Sequence, residues 1–479
     1  MCGIIGLFGH DDVVPELVFG LTALQHRGQD AAGIVTFRNA FRTKKGLGLV
    51  ADVIDDADVA RLAAPVGIGH VRYSTVGKNE VLDAQPVAIS YPLGIAMAHN
   101  GNVTNYDALR RHLYQEHHRL LETSCDLELI LYAFASELQQ KNLKALSVDD
   151  IFSAVQATQR RVEGAYSAIT HIAHHGFLAF ADPYGLRPLV LGQRDTPAGR
   201  VYAFASESTC LDHLGFAYVR DLQAGEALYI DEQRVLHSRI CHRERPAFCV
   251  FEYIYFARED SRLHHKLVAG ERVKMGRALA KPFRATGLKP DIVIDVPSSA
   301  YFFASGLAEE LGVPYRRGFS KNRHIGRSFI SPTQILRERM VRAKLNPIRE
   351  VIEGKKVAVV DDSIVRGTTS RHLVKLLREA GASEIYFVSA SPPVVSPCVY
   401  GIDMSIRREM IAANATVQEI QADLGADALI YQRLEDLRGL ADGQGWCDAC
   451  FSGEYPTGVS VQVLDAIENE RSVAKQERG

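Results

Sequence analysis

The constraint that does most to limit this chain lies at its start, in Met1-Cys2-Gly3-Ile4-Ile5-Gly6. Once the initiator methionine is removed, Cys2 carries a thiol and a free α-amine on one framework. A thiol attacks only as thiolate, and an α-amine, which ordinarily titrates at about 7.7–8.0, can take its proton directly or through one water. Such a nucleophile is useful only if the terminus is held still. The glycines and β-branched residues behind it predict a short strand that does so. No charged-then-apolar leader precedes Cys2, so methionine removal is the only processing expected.

Three further blocks follow: Gln25-His26-Arg27-Gly28-Gln29-Asp30-Ala31-Ala32-Gly33-Ile34, then Gly69-His70-Val71-Arg72-Tyr73-Ser74-Thr75, then Ala98-His99-Asn100-Gly101-Asn102. In this order they resemble the class II glutamine amidotransferase head, of the N-terminal-nucleophile hydrolase type. Hydrolysis of a side-chain amide needs a nucleophile, donors for the oxyanion and grips for the amino-acid end. The resemblance implies Cys2 as nucleophile and Asn100 with the Gly101 N–H as oxyanion hole. It also implies Arg72 as a planar fork on the glutamine α-carboxylate, and Asp126, in Ser124-Cys125-Asp126, as the α-ammonium acceptor.

With 479 residues the chain has room for two or three domains and large cores. A net charge of −2 gives no overall pull toward nucleic acid or membrane. The uncharged stretch from Ile385 to Ile402 contains Pro392, Pro393 and Pro397 and is not a membrane span. These features predict a cytoplasmic protein.

A second functional block runs from Lys356 to Ser370, Lys-Val-Ala-Val-Val-Asp-Asp-Ser-Ile-Val-Arg-Gly-Thr-Thr-Ser. Its apolar start predicts a buried strand and Arg371 to Glu379 a helix with Leu373, Leu376 and Leu377 on one face. Gly381 stops that helix, and Glu384 to Val388 forms the next strand. This is a βαβ unit, hence a parallel sheet with ligands at the strand C-termini. Backbone N–H groups from Arg366 through Ser370, with the Thr368 and Thr369 hydroxyls, make a phosphate cradle. Asp361 and Asp362 can accept from vicinal ribose hydroxyls. The order resembles the signature of type I phosphoribosyltransferases, which bind phosphoribosyl pyrophosphate (PRPP) and Mg²⁺ here. That implies PRPP contacts at Asp361, Asp362, Ser363, Arg366, Gly367, Thr368 and Thr369, with Mg²⁺ at Asp361 and Asp362.

Between Arg316 and Arg349 stand ten Lys or Arg residues and a single acid, Glu338. Composition alone allows a nucleic-acid patch, but aromatic interleaving is slight and the rest of the chain is not basic. A charged substrate with three phosphate groups needs the same concentration of cation. The stretch is similar to the PRPP-site loop of one family, glutamine phosphoribosylpyrophosphate amidotransferase, which implies PRPP contacts from Lys321 and Arg327. Phe251 to Arg258 and Val399 to Met404 carry the resemblance through essentially the whole chain. The implied activity transfers glutamine amide nitrogen, as channelled ammonia, to PRPP. The products are 5-phosphoribosylamine, glutamate and pyrophosphate, as in the first committed step of purine synthesis. Nucleotide inhibition and a homotetramer or homodimer are implied with it.

Eight cysteines in a chain of this kind argue for catalysis or metal rather than a disulfide framework. Cys447-Asp448-Ala449-Cys450 is a C-x-x-C pair, with Cys249 and Cys398 upstream. Spacing alone leaves zinc, iron–sulfur, a redox dithiol and plain buried thiols open. The resemblance implies that Cys249, Cys398, Cys447 and Cys450 hold a structural 4Fe–4S cluster, with zinc as the alternative. Cys125, Cys210 and Cys241 read as structural.

Two departures from the family pattern stand out. Pro297-Ser298-Ser299-Ala300 occupies a turn where an acid commonly follows the proline, and Glu259 replaces a usual proline. They leave room for a second reading, a divergent PRPP- or nucleotide-binding regulatory paralogue. The expected organisation is an α+β glutaminase domain at 2–232, a four-layer αββα sandwich, then a linker at 233–249. An α/β phosphoribosyltransferase domain at 250–440 with a parallel sheet follows, and a C-terminal segment at 441–479. Asp291 to Val296 is expected as a further buried strand, and Gly164-Ala165-Tyr166 and Asp182 to Pro188 as turns.

Overall fold

The computed structural model describes residues 1–73, 80–322, 345–402, 404, 406–460 and 462–469. Among them the first half of the chain forms two antiparallel sheets, of seven and six strands, packed face to face. In the seven-stranded sheet Gly3–Phe8 lies between Val66–Arg72 and Gly199–Ala205, each antiparallel to it. In the six-stranded sheet Ile95–Val103 pairs with Gly164–Ile172, setting Asn100 opposite Ser167 and Gly101 opposite Tyr166. Side chains alternate faces along a strand. Ile4, Ile68, Ala96, Ala98 and Ile169 therefore fill the space between the sheets. Ile5, Leu7 and Val71 instead meet the helix Val14–Ala23 on one outside. On the other outside Leu127–Gln139 and Val148–Arg161 cover Met97 and Tyr166. The result is the four-layer αββα sandwich.

Two expectations are corrected here. Gly164-Ala165-Tyr166 opens a buried strand rather than a turn, because Gly164 lets the strand begin close against Asn102 and Thr104. Part of the expected linker 233–249 is also strand, since Leu236–Ile240 pairs with Glu226–Asp231 at the edge of the six-stranded sheet.

The second half is built on a four-stranded parallel sheet, in the order Ile292–Asp295, Lys356–Asp361, Glu384–Ser389, Ala428–Tyr431. Its strands are buried on both faces, the normal state of a parallel sheet. Val293, Ala358, Val360, Tyr386 and Val388 face the helices Val268–Ala285 and Tyr301–Leu311. Ile294, Val357, Val359, Ile385 and Phe387 face Thr368–Glu379 and Val417–Leu424. The expected βαβ unit is present, with Lys356 paired to Glu384 and Asp361 to Ser389. A short parallel pair joins the chain's middle to its end, with Phe248 opposite Trp446 and Cys249 opposite Cys447.

Candidate active sites

Cys2 immediately precedes the central strand Gly3–Phe8, whose two neighbours hold the terminus in place. Its backbone N–H donates to Asn100 Oδ1 at 3.2 Å, and its carbonyl accepts from Arg27 Nε at 3.1 Å. The sulfur lies 3.9 Å from the Tyr73 carbonyl. Met1 is buried, its sulfur against the Arg187 guanidinium.

Asn100 is buried, and among the described residues its Nδ2 has no hydrogen-bond partner. A buried amide donor left idle costs free energy unless a ligand satisfies it, so this atom is available to a ligand beside Cys2. Gly101 could be no other residue, because a Cβ there would lie 1.9 Å from the Ala165 carbonyl oxygen. Asp126 accepts from the Val103 N–H at 2.9 Å and bonds His99 Nε2 at 3.3 Å. Burial works to raise its carboxyl, but His99, the Val103 N–H and Arg72 outweigh burial and hold it below the usual carboxylate range. Arg72 is buried, with Asp83 Oδ2 3.9 Å from its guanidinium. Arg72 and Asp126 thus supply a cation and an anion to one neighbourhood, as the two ends of an amino acid require.

The anchor beneath Cys2 was not assigned from the sequence. Arg27, wholly buried, meets Glu252 at 2.8 Å and also Glu207. Burial acts to lower its guanidinium, and Glu252 and Glu207 more than reverse this. Its presence in the Gln-His-Arg-Gly block was the available signal. Glu252 stands in a π-helical turn, Glu252–Phe256. Such turns are frequent at functional sites.

The second site lies at the C-terminal end of Lys356–Asp361. Asp361 accepts from the Asp362 N–H at 3.0 Å, and Asp362 accepts from the hydroxyls of Ser363, at 2.7 Å, and Ser299. Burial, and for Asp361 the neighbouring Asp362, raises both carboxyls above the ordinary range. Two acids held this way need a partner that brings cations or hydroxyl donors. Gly367, with φ of +73°, caps the helix Thr368–Glu379, and Thr368 and Thr369 stand exposed in its first turn. An exposed helix N-terminus of this kind can receive a phosphate. Arg366 turns its guanidinium outward to Glu409 at 2.9 Å, leaving its backbone at the loop. Lys321 Nζ donates to Ser298 Oγ at 3.2 Å. Arg327 lies outside the described residues.

The two halves of the chain meet beside the strand Ile95–Val103. Asn102 Nδ2 donates to the Val399 carbonyl at 2.8 Å, and Arg187 Nε to the Tyr400 carbonyl at 2.8 Å. A Cβ on Gly401 would lie 2.7 Å from the Gly101 carbonyl oxygen. The oxyanion strand is therefore packed directly on residues 399–401 of the second half.

Cys249, Cys398, Cys447 and Cys450 are all unbridged and buried. Burial pushes the Cys249 thiol up to about 12, against the opposing pull of Arg187. Cys447 and Cys450 are raised further, by burial and then by the other thiols of the set. The Tyr400 N–H donates to the Cys398 sulfur at 3.4 Å. Among the described residues, no three His, Cys, Asp or Glu side chains stand close enough to grip one ion.

Comparison with known proteins places these sites in context. A glutamine amidotransferase domain family matches residues 70–213, and a phosphoribosyl transferase domain family matches residues 269–390. The amidophosphoribosyltransferase of Escherichia coli is 45% identical, the match covering 99% of this chain and 97% of that protein. The solved structure of glutamine PRPP amidotransferase from B. subtilis, complexed with ADP and GMP, is 36% identical with a TM-score of 0.85. It covers 96% of this chain and 98% of that one. A structure described as the allosteric regulatory enzyme of purine biosynthesis gives a TM-score of 0.87 at 36% identity, covering 98% of this chain and 99% of that one.

Proposed function

The chain belongs to the amidophosphoribosyltransferase family, and on that premise we propose how its own residues divide the reaction. The enzyme converts glutamine, PRPP and water into 5-phosphoribosylamine, glutamate and pyrophosphate. At the first site Arg72 and Asp126 hold the α-carboxylate and α-ammonium of glutamine. Cys2, freed of Met1, loses its thiol proton to its own α-amine and attacks the side-chain amide carbon. Asn100 Nδ2 and the Gly101 N–H take the oxyanion. The α-ammonium returns the proton as the C–N bond breaks, ammonia leaves, and water then releases glutamate from the thioester.

At the second site the N–H groups and hydroxyls from Gly367 through Thr369 hold the 5-phosphate. Asp361 and Asp362 hold the ribose hydroxyls, and Lys321 faces the pyrophosphate. Ammonia reaches C1, the C1–O bond to pyrophosphate breaks, and a proton is lost from nitrogen. Ammonium is not a nucleophile, so the nitrogen must cross without meeting solvent, and the halves adjoin where Asn102 donates to Val399.

The paired carboxylates suit Mg²⁺, which when bound neutralises charge on the departing pyrophosphate. For the four cysteines we propose an iron–sulfur cluster from the family resemblance. They stand too far apart to grip a single ion, but the set is all sulfur, buried and near enough for each thiol to act on the others. Its contribution would be structural, tying Cys249 to Cys447 and Cys450 at the far end of the chain. Among the described residues no helix is long and apolar enough to cross a membrane, and we place the enzyme in the cytoplasm. Inhibition by purine nucleotides is proposed from the relative solved with ADP and GMP, and a homodimer or homotetramer from the family.

One observation carries this reading: the idle Asn100 amide, set beside Cys2 on the strand whose Asn102 donates to Val399 of the second half. Glutamate release should be stimulated by PRPP. Cys2→Ala should abolish glutamine-dependent synthesis and keep the ammonia-dependent reaction. Full glutamine-dependent activity in Cys2→Ala would overturn the assignment, and absence of iron and acid-labile sulfide in anaerobically purified protein would remove the cluster.

A further inference from the structure

Arg272 belongs to the second half of the chain, near the start of Val268–Ala285, and is buried. Its guanidinium forks between two carbonyls: Nε donates to Tyr253 at 2.8 Å and Nη2 to Ala257 at 2.7 Å. These acceptors stand near the two ends of the π-turn Glu252–Phe256, which closes through the Ala257 N–H and the Glu252 carbonyl at 3.0 Å. Such turns are rare, and this one is clamped from outside. It presents Glu252 to Arg27, and Arg27 holds the Cys2 carbonyl. The second carboxylate on Arg27, Glu207, accepts from the Arg258 N–H at 3.0 Å and the Ser261 hydroxyl at 2.7 Å, just past the turn. One short segment therefore locates both acids that anchor the nucleophile's residue, and Arg272 fixes that segment.

The Arg272 charge also reaches the acid pair. Its guanidinium carbon lies 5.9 Å from the Phe303 ring, on the helix that follows Ser299, the donor to Asp362. Burial raises the Asp362 carboxyl, and Ser299, Ser363 and then Arg272 oppose it. Resting on the reading of Cys2 as nucleophile and of Asp361 and Asp362 as the PRPP acids, we propose that Arg272 is a positioning residue for Cys2. Every link from its fork to the Cys2 carbonyl is a hydrogen bond or a bond of the chain. A ligand on the acid pair changes the charge that Arg272 feels, and the fork passes that change to the turn. A planar guanidinium spans two carbonyls at once, which an ammonium on a flexible stem does not.

The test is the kinetics of full-length Arg272→Lys, which keeps the charge and loses the fork. Glutamine-dependent kcat should fall about 10²-fold, the cost of a small displacement of the attacking group. Glutamine KM should stay within about threefold, since Arg72 and Asp126 are untouched, and the ammonia-dependent rate within about twofold. Arg272→Met loses the charge as well, and should add a rise of about tenfold in PRPP KM for the ammonia-dependent reaction. Glu252→Gln loosens the same chain one link further on, so combined with Arg272→Lys it should cost no more than the larger single loss. If Arg272→Lys does not fold, Glu252→Gln alone must show the same split between the two rates. A folded Arg272→Lys protein with native glutamine-dependent kcat, or with both rates falling together, overturns the proposal, as do losses that multiply in the double variant. Full glutamine-dependent activity in Cys2→Ala would instead overturn the nucleophile reading beneath it, whatever Arg272→Lys does.

Discussion

The glutamine site and the PRPP site solve opposite problems. Around Cys2 the polar groups are tied: Arg27 holds its carbonyl, Asn100 its amide, and His99 and Val103 hold Asp126. Asn100 Nδ2 and the His70 ring lack partners among the described residues, and in our reading the former is kept for a charge that exists only during reaction. Around Asp361 and Asp362 the carboxyls are pushed up and the phosphate-facing threonines stand exposed. A preorganised site can catalyse an uncharged amide's hydrolysis because its dipoles are already set. A site for a substrate with three phosphate groups must stay open and electrostatically unsatisfied until that substrate arrives. The contrast predicts that removing groups from the first site costs chemistry, whereas neutralising acids in the second trades activity for stability.

The largest effect belongs to the nucleophile. Cys2→Ala should lower glutamine-dependent synthesis by about 10⁴-fold or more while the ammonia-dependent rate stays near native, since no other group can form the thioester. Paired rate measurements with glutamine and with ammonium salt decide it. Next comes Asp361→Asn, which should lower both rates by about 10²–10³-fold through loss of substrate and cation binding. The same change should stabilise the ligand-free protein at neutral pH. Both carboxyls are raised on folding by burial and, at Asp361, by proximity. The stability they confer is present below the ordinary carboxylate range and lost as pH rises, and an amide escapes that loss. Equal melting temperatures for native and Asp361→Asn proteins at neutral pH would remove the electrostatic half of the comparison.

A carboxylate in the first half sharpens the point. Asp182 is wholly buried, and its oxygens accept from Tyr184 at 2.8 Å and from Tyr166 and Leu186 at 3.1 Å. Burial nonetheless raises it to about 6, the backbone N–H groups only partly opposing. Its folded value then lies above its unfolded value near 3.9, so its stabilising contribution is complete below about pH 4 and is lost as pH rises through about 6. The loss is on the order of 3 kcal/mol. Asp182→Asn cannot ionise, so the urea-midpoint gap between native and variant should narrow from pH 4 to 7. A gap that widens would mean the N–H donors win over burial.

Legibility in the sequence tracked locality. The βαβ unit was readable because four apolar residues, an acid pair and a Gly-Thr-Thr turn are consecutive, and each local preference agrees with the fold. The helix, expected over Arg371 to Glu379 and observed one turn earlier from Thr368, and the glycine stop at Gly381 were visible for the same reason. Cys2, Asn100, Arg72 and Asp126 were proposed through their blocks, and the structure sets Asn100 beside Cys2 and Asp126 near Arg72. What could not be read was pairing at long range. Nothing in the chain announces that Arg27 reaches Glu252, or that Ser299 donates to Asp362, because those partners are set by sheet order and domain packing. Gly164-Ala165-Tyr166 misled for the complementary reason: a glycine that punctuates many turns here permits a close strand start.

The smallest expected effect tests the border itself. Asn102 stands two residues past the oxyanion amide and donates to Val399, while Gly101 and Gly401 pack without room for a Cβ between them. The site of fixed dipoles thus borrows part of its rigidity from the half that must stay open. Asn102→Ala leaves the Val399 carbonyl without its buried donor, a loss of about 1–3 kcal/mol. If that bond carries information between sites, PRPP should stimulate glutamate release about tenfold less in the variant, with glutamine KM raised and the ammonia-dependent rate unchanged. If it only glues the halves together, both rates should fall in step with the melting temperature. An unchanged stimulation ratio alongside a lowered melting temperature would show that the two sites share a wall and nothing more.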